Sequence, residues 1–303
     1  MVMKLNRKII LLFPLIAGIF WGSGGIFVRT LKEYGMNSVT IFSTRILLEC
    51  IILFIGLLIF KRESFKIKLK DLWLFIGCGV IGVLLLNLCY NEAMFNLTLS
   101  LAAVLLSLAP IFAMLLSAII FKEKITMKKI FCLILAILGC VLVSGILEST
   151  SITWNLKGLI FGILAGFFWA VYGTFSKLAT EKGYSTYTVV FYSVLFMSIA
   201  LLPFTDFGKF GYFINADPIM NIPFALAHTL FTALLPYLLF TIGLTYIDNG
   251  KATLLCSSSE PVAATLFGSL LFYERPTIFN LIGVALAILA LTILIRNEEE
   301  VEE

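Results

Sequence analysis

The sequence predicts an all-α, polytopic membrane protein with ten transmembrane helices in two inverted five-helix repeats. Three observations carry this prediction. The first is composition: of 303 residues, 60% are hydrophobic and 13% charged, with a mean hydropathy of +1.05. A soluble domain runs at about 45–50% apolar and about 25% charged. The second is a series of apolar runs, each near the roughly 20 residues that cross a bilayer. The third is that the second half of the chain repeats landmarks of the first.

The runs, bounded by charges, Gly or Pro, fall at 9–29, 39–60, 72–91, 98–121, 129–147, 157–177, 186–204, 224–247, 252–272 and 277–296. The basic start and first run resemble a signal peptide. No small-residue cleavage site follows and span after span does, so the run is read as a first span. The connection from Asp206 to Pro223 is the longest and most polar, and Gly208, Gly211, Asp217 and Pro218 mark it as a loop. Lys and Arg set the orientation: sixteen fall on the face that holds the N-terminus and five on the other. The positive-inside rule therefore places both termini in the cytoplasm of a plasma-membrane protein. Trp73 and Trp154 read as interface anchors, and the five Glu after Arg296 as a solvated tail. The six cysteines lie in apolar runs without metal-ligand spacing and read as reduced packing residues.

The repeat shows in rare residues. Gly18-Ile19-Phe20-Trp21 through Gly25 and Arg29 aligns with Gly166-Phe167-Phe168-Trp169 through Gly173 and Lys177 at an offset of 148, which Gly35 and Gly183 keep. Ser107-Leu108-Ala109-Pro110 matches Ser258-Ser259-Glu260-Pro261, and Phe121-Lys122-Glu123-Lys124 matches Phe272-Tyr273-Glu274-Arg275, at an offset of 151. Five spans is an odd number, so the second copy enters the membrane upside down. The halves are taken as 1–150 and 151–303.

Glu260 organises the functional reading. It lies nine positions into an apolar run from about Ala252, near the bilayer midplane at about 1.5 Å per residue. An ionisable group at that depth costs roughly 3 kcal/mol and is tolerated where it faces a bundle interior or a watery cavity. Pro261 removes a helical N–H, so the helix is expected to kink or open beside Ser258 and Glu260. Pro110 and Pro261 are the hinge candidates. A carboxylate at a helix break is a means of building a transport site, with Glu260 carrying a coupled proton. A structural Glu bonded to a neighbouring helix is the alternative.

Arg45 and Glu49 lie four apart and share a helix face, so they can pair as a structural ion pair. Alternatively, Arg45 receives an anionic substrate group while Glu49 takes a proton. Tyr90 and Glu92 close the third span as interface anchors or site residues. Trp21, Trp169 and Tyr172 sit inside their spans, away from the interfaces such rings favour, and either line a cavity or pack. His228, the only histidine, opens the eighth span as a core residue or a proton carrier. Gly18, Gly22, Gly158, Gly162 and Gly166 give the small-residue spacing of closely packed membrane helices.

These landmarks carry a family resemblance. Trp21-Gly22 and Trp169-Ala170, Arg45, Tyr90-Asn91-Glu92-Ala93, Ala109-Pro110 with Phe121-Lys122-Glu123, and Glu260-Pro261-Val262-Ala263 with Phe272-Tyr273-Glu274 resemble the EamA-type branch of the drug/metabolite transporter superfamily. Tyr273 stands where the family has Gly, a departure expected to be harmless at a helix end. The resemblance implies ten helices around a central cavity, alternating access, and efflux of small metabolites such as amino acids. The expected partners are such a substrate, the lipid bilayer and a coupled proton, with no nucleic acid and no cofactor. No pattern specifies an oligomeric state.

The other function classes have weaker support. Gly22-Ser23-Gly24-Gly25 with His228 superficially suggests a hydrolase, but Val171 replaces Ser23 in the second copy and no orienting group is apparent. The sequence has no H-E-x-x-H, G-x-S-x-G or P-loop motif. A channel or passive facilitator would require a filter loop or a subunit ring, and neither is signalled.

Overall fold

The computed structural model describes residues 7–97, 99–148, 155–273 and 276–296. Of the residues read above, Trp154, Glu274, Arg275 and the acidic tail lie outside these. The described residues form helices joined by short turns, with no strand. Eight helices are long and apolar enough to cross a membrane. They are α1 (Ile9–Glu33), α2 (Ser38–Phe60), α3 (Leu69–Asn96), α4 (Leu101–Ile120), α6 (Leu156–Glu181), α7 (Thr186–Phe204), α9 (Pro218–Leu244) and α10 (Asn249–Leu271). Two shorter apolar helices, α5 (Met127–Val143) and α11 (Ile278–Arg296), and the small α8 (Phe207–Ala216) complete the set.

α8 corrects the expected loop. Asp206 accepts from Lys209 N at 3.0 Å and Asp217 from Met220 N at 3.2 Å, so each aspartate caps a helix start, and Pro218 takes the first turn of α9. Phe213 from this stretch is fully buried against Leu31, Met36 and Ile41. The polar residues there are caps between two short helical pieces. The cost of that ordering is offset by the buried ring.

The halves do not form separate bundles. α1 packs on α9 and α10, while α6 packs on α3 and α4; α2 meets α7, α4 meets α10 and α5 meets α11. Glycines permit the closest crossings. A Cβ on Gly18 would lie 2.1 Å from Ser259 Oγ, and one on Gly22 would lie 2.6 Å from Glu260 O, so α1 lies directly against the Cys256–Glu260 turn. Backbone conformations also recur along the chain. Gly35 and Gly183 are both left-handed, at φ +74° and +88°, and so are Lys122 and Tyr273, at +56° and +54°. α3 and α9 each contain a π-helical stretch, Gly77–Leu84 and Leu230–Leu234.

α10 runs through Pro261 as one α-helix from Asn249 to Phe272, with neither break nor opening. The carbonyl that proline leaves without a helical donor, Ser257 O, instead accepts from the Cys140 thiol of α5 at 3.8 Å. Pro110 opens the second part of α4, after a turn at Ser107 and Leu108 interrupts the helix.

Candidate functional site

The apolar stripes of the helices leave a void of about 500 Å³. Six of the residues singled out in the sequence line it: Trp21, Arg45, Tyr90, Trp169, Glu260 and Pro261. Six do not. Glu49 is fully buried. Tyr172 lies behind Trp169, its ring stacked at 5.4 Å and its hydroxyl 3.0 Å from Thr241 Oγ1. Ser258 donates back to Leu254 O at 2.8 Å. Glu92 pairs with Lys157 near the far end of α3. Pro110 is buried. His228 does not open its helix; it is buried ten residues in, stacked on Phe27 at 5.2 Å.

Aromatic rings form the floor. Trp21 meets Trp169 edge-on at 5.0 Å and Tyr237 edge-on at 5.2 Å, and Phe240 lies 5.2 Å from Trp169. Such contacts hold large rings at fixed angles. They bring α1, α6 and α9 together about 18 Å from the first residue of α1 at 1.5 Å per residue. Tyr237 is a site residue that sequence reasoning missed. It shows the same signal as Trp21, a polar ring deep in a span, but it was not singled out.

Two walls carry opposite charge types. Arg45 Nη1 donates to Thr232 O at 3.2 Å and to Thr232 Oγ1 at 3.1 Å, and its guanidinium lies 5.3 Å from the Phe42 ring. Its Nε has no partner. No hydrogen bond joins Arg45 to Glu49, so the expected ion pair is absent and Thr232 holds the guanidinium instead. Glu260 is half-buried at the wall, and among the described residues no hydrogen bond or ion pair reaches its carboxylate. Ser107 and Ser257 add hydroxyls to the lining. The void thus offers a cation, a carboxylate, hydroxyls and an aromatic floor. Such a site can hold a small molecule with an apolar body and polar ends.

The lining of the void runs toward the face opposite the lysine-rich loops. Its lining includes Ala103 at the start of α4 and Ser144 just past the end of α5, both at the face opposite the lysine-rich loops. At the lysine-rich face, ion pairs join the two halves. Lys129 Nζ lies 2.7 Å from Asp248 Oδ2, Lys182 Nζ lies 2.7 Å from Asp71 Oδ1, and Lys177 pairs with Glu123. Tyr184 OH donates to Asp71 Oδ2 at 2.7 Å. Burial, together with the charge and hydrogen bond of Asp71, raises the Tyr184 phenol above its ordinary range, so it remains the donor.

Comparison with known proteins matches this architecture. The EamA-like transporter family matches twice, over residues 7–145 and 156–296. An uncharacterized transporter of Archaeoglobus fulgidus is 31% identical over 69% of this chain and 71% of its own. A second from that organism is 27% identical over 92% of this chain and 95% of its own. The Bacillus subtilis uncharacterized transporter YxxF is 27% identical over 82% of this chain and 79% of its own. A solved crystal structure aligns with a TM-score of 0.78 at 14% identity, over 98% of this chain and 100% of its own, which shows a shared fold. The paired family matches, the long apolar helices and the relatives' names point to a transporter rather than an enzyme: this chain is a multi-pass membrane protein and belongs to the EamA-like transporter family.

Proposed function

We propose that the protein is a secondary active transporter that exports small metabolites such as amino acids by alternating access, coupled to protons through Glu260. In this reading residues 1–150 and 151–303 are inverted five-helix repeats, with α5 and α11 as the fifth and tenth spans. Both termini are cytoplasmic and the membrane is the plasma membrane. The matched left-handed residues, the paired π-helical stretches and the reciprocal packing of α1 and α6 support the repeat.

The observation that carries the reading is the void between the halves. It has room for a small molecule, its lining runs toward the face opposite the lysine-rich loops, and three cross-half ion pairs stand at the lysine-rich face. Arg45 suits a carboxylate, Glu260 an ammonium group, and the ring floor an apolar side chain. Comparing the metabolites of cells with and without the protein identifies what is moved. Flux of that compound in proteoliposomes under an imposed pH gradient then tests the mechanism. Saturable flux that follows the gradient is expected. Unsaturable flux indifferent to the gradient indicates a channel.

A further inference from the structure

Among the described residues, Glu49 is the most completely enclosed charge-bearing side chain. It lies eleven residues into the 23-residue α2, at mid-span, with 0% exposure. Neither carboxylate oxygen has a hydrogen-bond partner. The cation one turn away on the same face, Arg45, is held by Thr232. From α7, the nearby polar group is Ser198, whose hydroxyl donates to Ile46 O at 3.4 Å in the preceding turn of α2. Cys50 on α2 and Tyr237 from α9 lie within electrostatic range. His228 lies within electrostatic range of Arg45.

A desolvated carboxylate with no donor is not sustained as an anion; the group neutralises or finds a cation. A metal ion requires several oxygen ligands. Among the described residues no cluster of metal-ligating side chains exists, and the Ser198 hydroxyl is already engaged. A proton needs only one lone pair.

We propose that Glu49 is a proton-binding site separate from the substrate cavity, and that it holds its proton while an anionic group is bound at Arg45 and gives it up when that group leaves. The proposal rests on the cavity being the substrate site. With Arg45 held by Thr232, the guanidinium faces the cavity and can bind a carboxylate, while Glu49 is the neutral acid. When the anion leaves, Arg45 turns back one helical turn and pairs with Glu49 four residues on. The Glu49 O–H bond then breaks and the proton passes by the Tyr237 phenol to cavity water. Proton and anion therefore bind together on this side of the cavity, whereas an ammonium group at Glu260 favours the ionised carboxylate there.

The test is infrared spectroscopy of the full-length protein in lipid nanodiscs at neutral pH, read at the C=O stretch of protonated carboxylic acids. Glu49→Gln has the shape of the neutral acid and should fold. The wild type should show a band that Glu49→Gln lacks and Glu260→Gln keeps. A spectrum unchanged by Glu49→Gln overturns the proton site. Thr232→Val removes one acceptor of Arg45, so the Glu49 band should weaken. Adding 3-phenylpropionate, a carboxylate without an ammonium group, should restore it. No restoration overturns the coupling to the anion. Failure of the transport reading would instead appear as absent gradient-driven flux in the wild type.

Discussion

Lys129 and Asp248 are tied across the two halves of the chain: Nζ lies 2.7 Å from Oδ2. The other oxygen of Asp248 accepts from Lys251 N at 2.7 Å, so one carboxylate both caps α10 and fastens it to the start of α5. Asp71–Lys182 and Glu123–Lys177 make the same kind of link nearby. Alternating access requires this face to part. A Lys129→Cys/Asp248→Cys protein, otherwise cysteine-free and bridged by a short cleavable thiol crosslinker, should stop transporting and recover on cleavage. Continued turnover while crosslinked would show that α5 and α10 do not separate here.

The topology prediction rests on the loop lysines and arginines. Reporter fusions or cysteine labelling should place both termini and the 61–71 loop in the cytoplasm. Cys140 lines the cavity near the end of α5 away from the lysine-rich loop, so a membrane-impermeant thiol reagent added outside intact cells should label it. Labelling of Cys140 only from the cytoplasmic side would reverse the orientation.

Tyr273 ends α10 at φ +54°, and Lys122 adopts +56° at the matching place in the first half. The left-handed region costs a residue with a Cβ roughly 1–2 kcal/mol relative to glycine. The absence of glycine at Tyr273 is therefore a strained cap, not a neutral change. Tyr273→Gly should raise thermal stability in detergent, offset in part by the greater freedom of glycine when unfolded, for a net gain of about 0.5–1 kcal/mol. Gly18→Val places a side chain against Ser259 and the Cys256 carbonyl and should cost at least about 1–3 kcal/mol. A stability loss in Tyr273→Gly would show that the tyrosine side chain makes a compensating contact with the membrane surface.

The parts of the fold readable in the sequence are those set by local chemistry. Apolar run length marks the spans, and Gly35 and Gly183 announce left-handed turns. Charged and aromatic residues at mid-span depth, Glu260, Trp21 and Trp169, pointed to the cavity wall. What escaped depends on partners distant in the chain. The hold of Thr232 on Arg45 spans 187 positions and displaces the local pairing with Glu49. The Cys140 thiol, 117 residues from Ser257, satisfies the carbonyl that made Pro261 look like a break. The 206–223 stretch had a readable signal in Asp217-Pro218, a cap followed by a first-turn proline, which its loop-like composition obscured.

Glu260 is the titratable group of its turn that meets the cavity. Ser258 and Ser259 are directed elsewhere, to Leu254 O at 2.8 Å and to Leu15 O at 2.9 Å, which leaves Ser257, Glu260 and Pro261 at the wall. The helix is continuous there, and its backbone at Glu260 lies against α1 at Gly22. Tyr90 and Tyr237 on facing helices lie within range of its charge, and Arg45 lines the same void. A substrate ammonium group and a proton would compete for this one carboxylate, which makes proton entry and substrate exit alternatives. Glu260→Gln keeps the size and hydrogen-bonding capacity of the neutral acid but cannot exchange a proton. It should fold, bind neutral and anionic analogues normally, and lose from the pH profile of transport the titration that Glu260 supplies, while the one that Glu49 supplies remains. Proteoliposome flux measured at a series of pH values decides this. A Glu260→Gln protein with the wild-type rate and pH profile would make Glu260 structural and leave coupling to another group.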